Sequence, residues 1–252
     1  MRNAAFGLVL ALQFLTRLPL PLACPWNTAT RRWAVRCYPL VGMLLGGLLV
    51  AAAALFENLL PTPLLALALL TLWVALTGGL HLDGLMDVAD ALGSNAPLER
   101  KWAIMKDPHV GSFGILALVF LLLWKAALLY ALMESGASLL LLVMILVLGR
   151  LAAVALLVLA PAAHTQGMAA SWKRDLALRD IWLAALPLLP LVVLVPGGGW
   201  LCLMLVPFLM LYAWGMLRIF KGINGDIVGT AIEGGELWLL LVAWSWWSFV
   251  TG

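Results

Sequence analysis

The chain has 252 residues, of which 65% are hydrophobic and only 11% charged, with a net charge of +3. A soluble domain carries about 25% charged residues, so this composition excludes an ordinary globular domain and points to a polytopic membrane protein. The cations are dispersed rather than gathered into a dense basic patch, which argues against nucleic-acid binding.

In chain order, an apolar run from Ala4 is interrupted by Arg17, Pro19 and Pro21. With no cleavage signature following it, residues 4–18 read as a retained helix lying in the membrane interface. Apolar segments of spanning length follow at 38–56, 63–80, 113–133, 138–160, 180–196, 200–219 and 235–250. The expected fold is therefore all-α, a membrane helix bundle of about seven spans plus the N-terminal interfacial helix, forming a single domain over 1–252. Cys24, Cys37 and Cys202 form no ligand or disulfide pattern and read as small apolar fillers.

Alternate loops carry Arg31, Arg32 and Arg36, then Arg100, Lys101 and Lys106, then Lys173, Arg174 and Arg179, then Arg218 and Lys221. The intervening loops near 57–62, 134–137 and 197–199 carry none, which places the basic set in the cytoplasm. Only Glu57 and Glu134 among the acids fall on the opposite side. Polar chemistry gathered on one face suits an enzyme with a charged, water-soluble substrate better than a cation carrier, which needs access from both sides.

The first polar cluster runs from Gly79 to Asp90 and contains His81, Asp83, Asp87 and Asp90. The i, i+4, i+7 spacing of the three aspartates puts them on one stripe of a helix. Like charges so close repel, and a divalent cation carrying a phosphorylated substrate is the simplest reason to build such a stripe; a solvated helix end is the plainer alternative. His81 projects away from the stripe on a straight helix, and acts as base or outer partner only if Gly78 and Gly79 break that helix.

The second cluster, Glu99 to Gly114, is a turn in which Lys106 is a candidate phosphate contact, while Arg100 and Lys101 read as ordinary positive-inside charge. The third, Lys221 to Glu236, places Asp226, Thr230 and Glu233 again at i, i+4, i+7, behind Asn224. A second acidic stripe on the same membrane face could complete the shell of one or two metals, against the plainer reading of a glycine-rich helix contact. Arg150 lies mid-span and is a candidate phosphate ligand or a structural ion pair; Lys125 reads as structural or snorkelling. The stretch His164 to Gly167 opens a further polar loop.

These residues together resemble the cobalamin-5′-phosphate synthase family, also called adenosylcobinamide-GDP ribazoletransferase. The likeness rests on Phe14-Leu15-Thr16-Arg17-Leu18-Pro19, Tyr38-Pro39-Leu40-Val41-Gly42, the run Gly79 to Leu85 with Asp87 and Asp90, Ile104-Met105-Lys106-Asp107, Gly149-Arg150, Thr165-Gln166-Gly167-Met168-Ala169 and Asn224-Gly225-Asp226. The His-x-Asp-Gly-x-x-Asp-x-x-Asp run is its specific part. The resemblance implies attack of α-ribazole, free or as its 5′-phosphate, on adenosylcobinamide-GDP through the ribose 3′-hydroxyl, with release of GMP, at the bacterial cytoplasmic membrane. It directs the following expectations. Asp83, Asp87, Asp90 and Asp226 hold Mg2+, and Asp83 or His81 takes the proton. Lys106, Arg150, Asn224 and Glu233 contact substrate. Another metal-dependent membrane phosphotransferase or a prenyltransferase is the alternative, since both use paired aspartates near a membrane surface. The sequence gives no oligomeric state.

Overall fold

The computed structural model describes residues 2–163 and 168–251. Every regular element among them is helical. The order is α1 (Arg2–Leu15), α2 (Thr28–Phe56), α3 (Thr62–Thr77), α4 (Leu80–Gly93), α5 (Leu98–Ile104), α6 (Ser112–Glu134) and α7 (Leu140–Leu159). Then come α8 (Met168–Lys173), α9 (Leu178–Ala185), α10 (Leu188–Leu194), α11 (Gly198–Phe220) and α12 (Gly225–Trp246), which ends in a π-helical turn over Trp247–Thr251.

Five of these helices are long and apolar enough to cross a bilayer: α2, α6, α7, α11 and α12. The pair α3 and α4 makes a sixth, bent by 88° at its break. The segment 180–196, expected to span as one helix, is broken into two pieces along the chain's path from Ala163, bonded to Ile223 beside the start of α12, to Gly197, against Trp246 at that helix's other end. Pro187, which has no N–H to donate, stands at the middle of the segment, which divides into α9 and α10, eight and seven residues long. At about 1.5 Å per residue each piece covers only about 10–12 Å. Helix α1 has 14 residues, about 21 Å, and is likewise too short to cross; it packs on α2 through Gly7, Ala11 and Leu15.

Helix α7 is the centre of the bundle, buried at nearly every position from Leu141 to Leu157. An apolar helix has no aqueous driving force toward its neighbours in lipid, so close backbone packing must hold it. Gly42 and Gly46 on α2 supply that contact. A Cβ at Gly42 would lie 2.4 Å from the Leu146 carbonyl oxygen, and one at Gly46 2.5 Å from the Val143 Cα. Helix α9 is fastened to α2 by a buried carboxylate: Asp180 accepts from Arg32 Nε and Nη2 at 3.0 Å each and from Arg36 at 2.6 Å. Its Oδ2 also accepts from the Ala177 N–H at 2.8 Å. Arg32 and Arg36 thus lie on a helix that begins at Thr28, not in the loop their charge had suggested.

Two local devices position the polar end of the molecule. The segments before α8 and before α12 are joined by a short parallel bridge, Ala163 N–H to Ile223 O and Ile223 N–H to Pro161 O, both 2.9 Å. A Cβ at Gly222 would stand 2.5 Å from the Ala163 Cα, so only glycine lets these segments approach so closely. Lys173 then closes the end of α7, donating from Nζ to the carbonyls of Leu157 and Val158.

Candidate active site

Gly78 and Gly79 have φ of +64° and +70°. Two consecutive left-handed residues are what turn the chain through the α3–α4 bend, and a side chain at either would be strained. The Arg17 side chain lies across Gly78, where a Cβ would be 2.1 Å from its Cγ. The helix that follows has two faces. His81, Leu82, Gly84, Val88 and Ala91 are buried, whereas Asp83 is exposed and Asp87 and Asp90 half-buried.

The buried face of α4 meets the start of α12 at backbone contact. A Cβ at Gly84 would lie 2.8 Å from the Asp226 Cα and 3.0 Å from its carbonyl oxygen. Thr230 clasps the crossing: its hydroxyl lies 3.1 Å from the Gly84 carbonyl and 2.7 Å from that of Asp226. Asp226 is thereby delivered to the aspartate stripe from a position over 130 residues later in the chain. The Asp87 carboxyl feels the negative charge of Asp226, then of Asp83, then of Asp90. Four carboxylates therefore share one neighbourhood at one end of the bundle, an arrangement that draws in a cation.

Their roles differ. Asp90 is engaged at both oxygens, accepting the N–H of Gly111 at 2.7 Å and of Gly114 at 2.8 Å. These are unsatisfied donors at the start of α6, so Asp90 caps that helix across the tertiary contact. This corrects its place among equivalent metal ligands and leaves Asp83, Asp87 and Asp226 as the freer carboxylates. All three offer hard oxygen donors, which suit Mg2+. In the conformation observed, no three Asp, Glu, His or Cys side chains among the described residues are close enough together to hold a metal ion. Asn224 caps α12: its Oδ1 accepts the Ile227 N–H at 2.9 Å and its amide donates to Asp226 Oδ2 at 2.6 Å. The structure thus gives it a capping and orienting role, not a free amide for substrate.

Lys106 is exposed in the turn that leads to Gly111, and so sits at the same end as Asp90. In that turn Asp107 accepts the backbone N–H of His109 at 3.0 Å, and its other bond is to the His109 ring at 2.7 Å. These bonds hold the Asp107 carboxyl below its ordinary range.

Two expected substrate contacts belong elsewhere. Arg150 is fully buried and paired with Glu236 through Nη1. Glu233 is also buried and accepts from Lys125 at 2.6 Å, a lysine that reaches Glu236 at 2.6 Å as well. The i, i+4, i+7 spacing from Asp226 is real, but seven residues advance about 10 Å along the helix, and Glu233 has descended from the polar end into the bundle. Lys125, Arg150, Glu233 and Glu236 form one buried, charge-balanced network, with Lys125 Nζ also 4.5 Å from the Trp73 ring centroid. Arg150 is the structural ion pair rather than the phosphate ligand.

His81 is 4% exposed, and its Nδ1 lies 3.9 Å from Glu233 Oε1, too far for a hydrogen bond. It lies on the opposite face of α4 from the aspartates, which removes it as the general base. It lines a cavity of about 270 Å³ together with Phe14, Tyr38, Trp172 and Asp226. Sequence reading missed Trp172 altogether, since an isolated aromatic in an apolar chain carries no periodic signal. The stretch His164 to Gly167 lies outside the described residues.

The family model described as cobalamin-5-phosphate synthase matches residues 7–244. The chain is similar to an adenosylcobinamide-GDP ribazoletransferase of Halalkalibacterium halodurans, 38% identical with all of both chains covered. It is similar also to proteins of the same name from Acinetobacter baumannii, 39% identical over 92% of this chain and 94% of that one. The Pseudomonas aeruginosa protein of that name is 39% identical over 96% and 98%. No solved structure matches the chain. With a family model spanning nearly its whole length, the chain belongs to the cobalamin-5-phosphate synthase family.

Proposed function

We propose that this protein joins α-ribazole, or α-ribazole 5′-phosphate, to adenosylcobinamide-GDP and releases GMP, and that the α4–α12 aspartate face is where it does so. The observation that carries the reading is the Gly84–Asp226 contact, which brings a carboxylate from α12 onto the stripe of α4. In the transfer, the ribose 3′-oxygen forms a new bond to the phosphorus that carries cobinamide. The bond from that phosphorus to GMP breaks, and GMP leaves with the electron pair. Asp83 takes the hydroxyl proton: it alone of the four aspartates on this face is exposed, and it makes no side-chain hydrogen bond among the described residues. Asp83, Asp87 and Asp226 would hold Mg2+ once drawn closer together than in the conformation observed, and the ion would neutralise the diphosphate charge. Asp90 keeps α6 docked beside them, and Lys106 orients phosphate from the adjacent turn.

The membrane is the bacterial cytoplasmic membrane, with this face toward the cytoplasm. That orientation is supported by the lysines and arginines outside the buried network, such as Arg100, Lys101, Lys106 and Lys221, which fall between spans on the aspartate side and are missing from the loops at 57–62, 134–137 and 197–199. Purified protein in lipid nanodiscs tests the reading. GMP should appear only when adenosylcobinamide-GDP and α-ribazole are both present, should stop with EDTA, and should return with excess magnesium. Absence of GMP under all conditions overturns the activity; GMP release undiminished by EDTA overturns the metal.

A further inference from the structure

The cavity beside Asp226 plays no part in the phosphoryl chemistry above. One wall is aromatic: the Trp172 ring centroid lies 5.0 Å from that of Phe14 and 6.0 Å from that of Tyr38. The facing wall is α12, where Gly229 leaves the backbone bare beside His81. At about 270 Å³ the space lies just below the roughly 300–1,000 Å³ range of small-molecule sites, large enough for one bicyclic ring.

Two buried polar groups on this cavity lack partners among the described residues. They are the Nε1 of Trp172, 3% exposed, and both ring nitrogens of His81. A buried donor without an acceptor costs about 1–3 kcal/mol, so such groups call for a ligand. Trp172 can only donate, whereas a neutral imidazole donates from one nitrogen and accepts at the other. The matching ligand is flat, apolar, uncharged and edged with a ring nitrogen. Among the described residues that line the cavity, Asp226 carries the only charged side chain, and it is also a member of the aspartate face. A molecule seated here therefore has its exit toward the reacting groups.

Resting on the proposed transfer reaction, we infer that this cavity binds the aromatic base of the acceptor nucleoside. The ring lies against the wall formed by Phe14, Tyr38 and Trp172, and an unsubstituted ring nitrogen meets the free N–H of Trp172 or His81. Of the two substrates the acceptor fits: the corrin macrocycle is far too large, and the donor's guanine carries a carbonyl and an amino group that this largely apolar lining leaves without partners. Seating the base fixes its ribose at the Asp226 rim, so His81 and Trp172 are binding residues that set base specificity.

The test uses protein in nanodiscs, with benzimidazole as a base that has no ribose and cannot react. Benzimidazole should bind wild-type protein in equilibrium dialysis. It should inhibit GMP release competitively against α-ribazole and not against adenosylcobinamide-GDP. Ala169→Trp fills the cavity from its α8 side, and Trp172→Phe removes only the N–H while keeping a ring. Each should raise KM for α-ribazole about tenfold, the equivalent of about 1.4 kcal/mol, with KM for the corrinoid unchanged within about twofold. Benzimidazole that fails to bind, or that competes with the corrinoid, overturns the pocket assignment. So does an unchanged KM for α-ribazole in both variants, which leaves the cavity to lipid or to packing. The two readings fail separately: GMP release without base binding refutes only the pocket. Base binding lost in Ala169→Trp, in a protein that releases no GMP, refutes the transfer reaction.

Discussion

Replacing Lys125 with methionine is expected to destabilise the protein far more than the loss of one side chain's packing would. Lys125 Nζ is 2.6 Å from both Glu233 Oε2 and Glu236 Oε2, and all three residues are buried. With Arg150 they make two cations and two anions, a balanced set inside an apolar bundle. Methionine has similar length but no charge, so the variant leaves an excess negative charge with no aqueous escape. Glu236 retains Arg150, whereas Glu233 retains only His81, at 3.9 Å. Breaking one partner of a buried pair costs about 3–5 kcal/mol because a charge is stranded. For a chain of this size, that corresponds to a fall in Tm of roughly 6–20 °C. Adding Glu233→Gln removes the stranded charge, and the double variant should recover more than half of the lost Tm. Thermal unfolding in detergent, followed by intrinsic fluorescence across the four members of the cycle, measures this directly. A fall of under about 3 °C in the single variant, or a double variant less stable than the single, would refute the charge-balance reasoning.

Other outcomes follow from the active-site geometry. Asp83→Asn should abolish most GMP release with Tm unchanged, because Asp83 is exposed and holds no helix in place. Asp90→Asn should instead lower stability by about 1–3 kcal/mol, since an amide cannot accept both the Gly111 and the Gly114 N–H through paired oxygens; the two variants are compared by Tm and turnover. Gly84→Ala retains every carboxylate, yet its methyl would meet the Asp226 backbone at 2.8 Å. It should therefore cost about 1–3 kcal/mol and lower turnover by separating α4 from α12, measured in the same two assays. Cysteines placed at Ser94 and Ser135 should differ in sealed cells, with only Ser135→Cys labelled by an impermeant maleimide.

How much of this was legible in the sequence varies with the range of the interaction. Composition and apolar runs give the membrane bundle, because burial in lipid acts on each segment by itself. The spacing of Asp83, Asp87 and Asp90 gives their common face, because helical geometry is local. The division at Pro187 was present in the sequence but was outweighed there by the hydropathy of 180–196. What spacing along one helix cannot reveal is a partner on another. Arg150 finds Glu236 across 86 positions and Lys125 finds Glu233 across 108. Asp90 finds the start of α6, a backbone need that exists only once the helices are assembled. Glu233 shares a stripe with Asp226 but not a depth, and depth decides whether a carboxylate meets substrate or a buried lysine. Gly84 illustrates the same limit: it reads as a motif glycine, and only the crossing of α12 shows why a side chain there is excluded.

The central claim is that carboxylates from α4 and α12 act on one cation. Manganese, a spectroscopic substitute for magnesium, tests it without reference to turnover. Electron paramagnetic resonance titration of protein in nanodiscs should show Mn2+ bound by the wild type and displaced by Mg2+. Asp83→Asn and Asp226→Asn should each weaken that binding by about tenfold or more while the protein remains folded. Wild-type protein that binds no Mn2+, or an Asp226→Asn variant that binds it as the wild type does, would contradict the shared site.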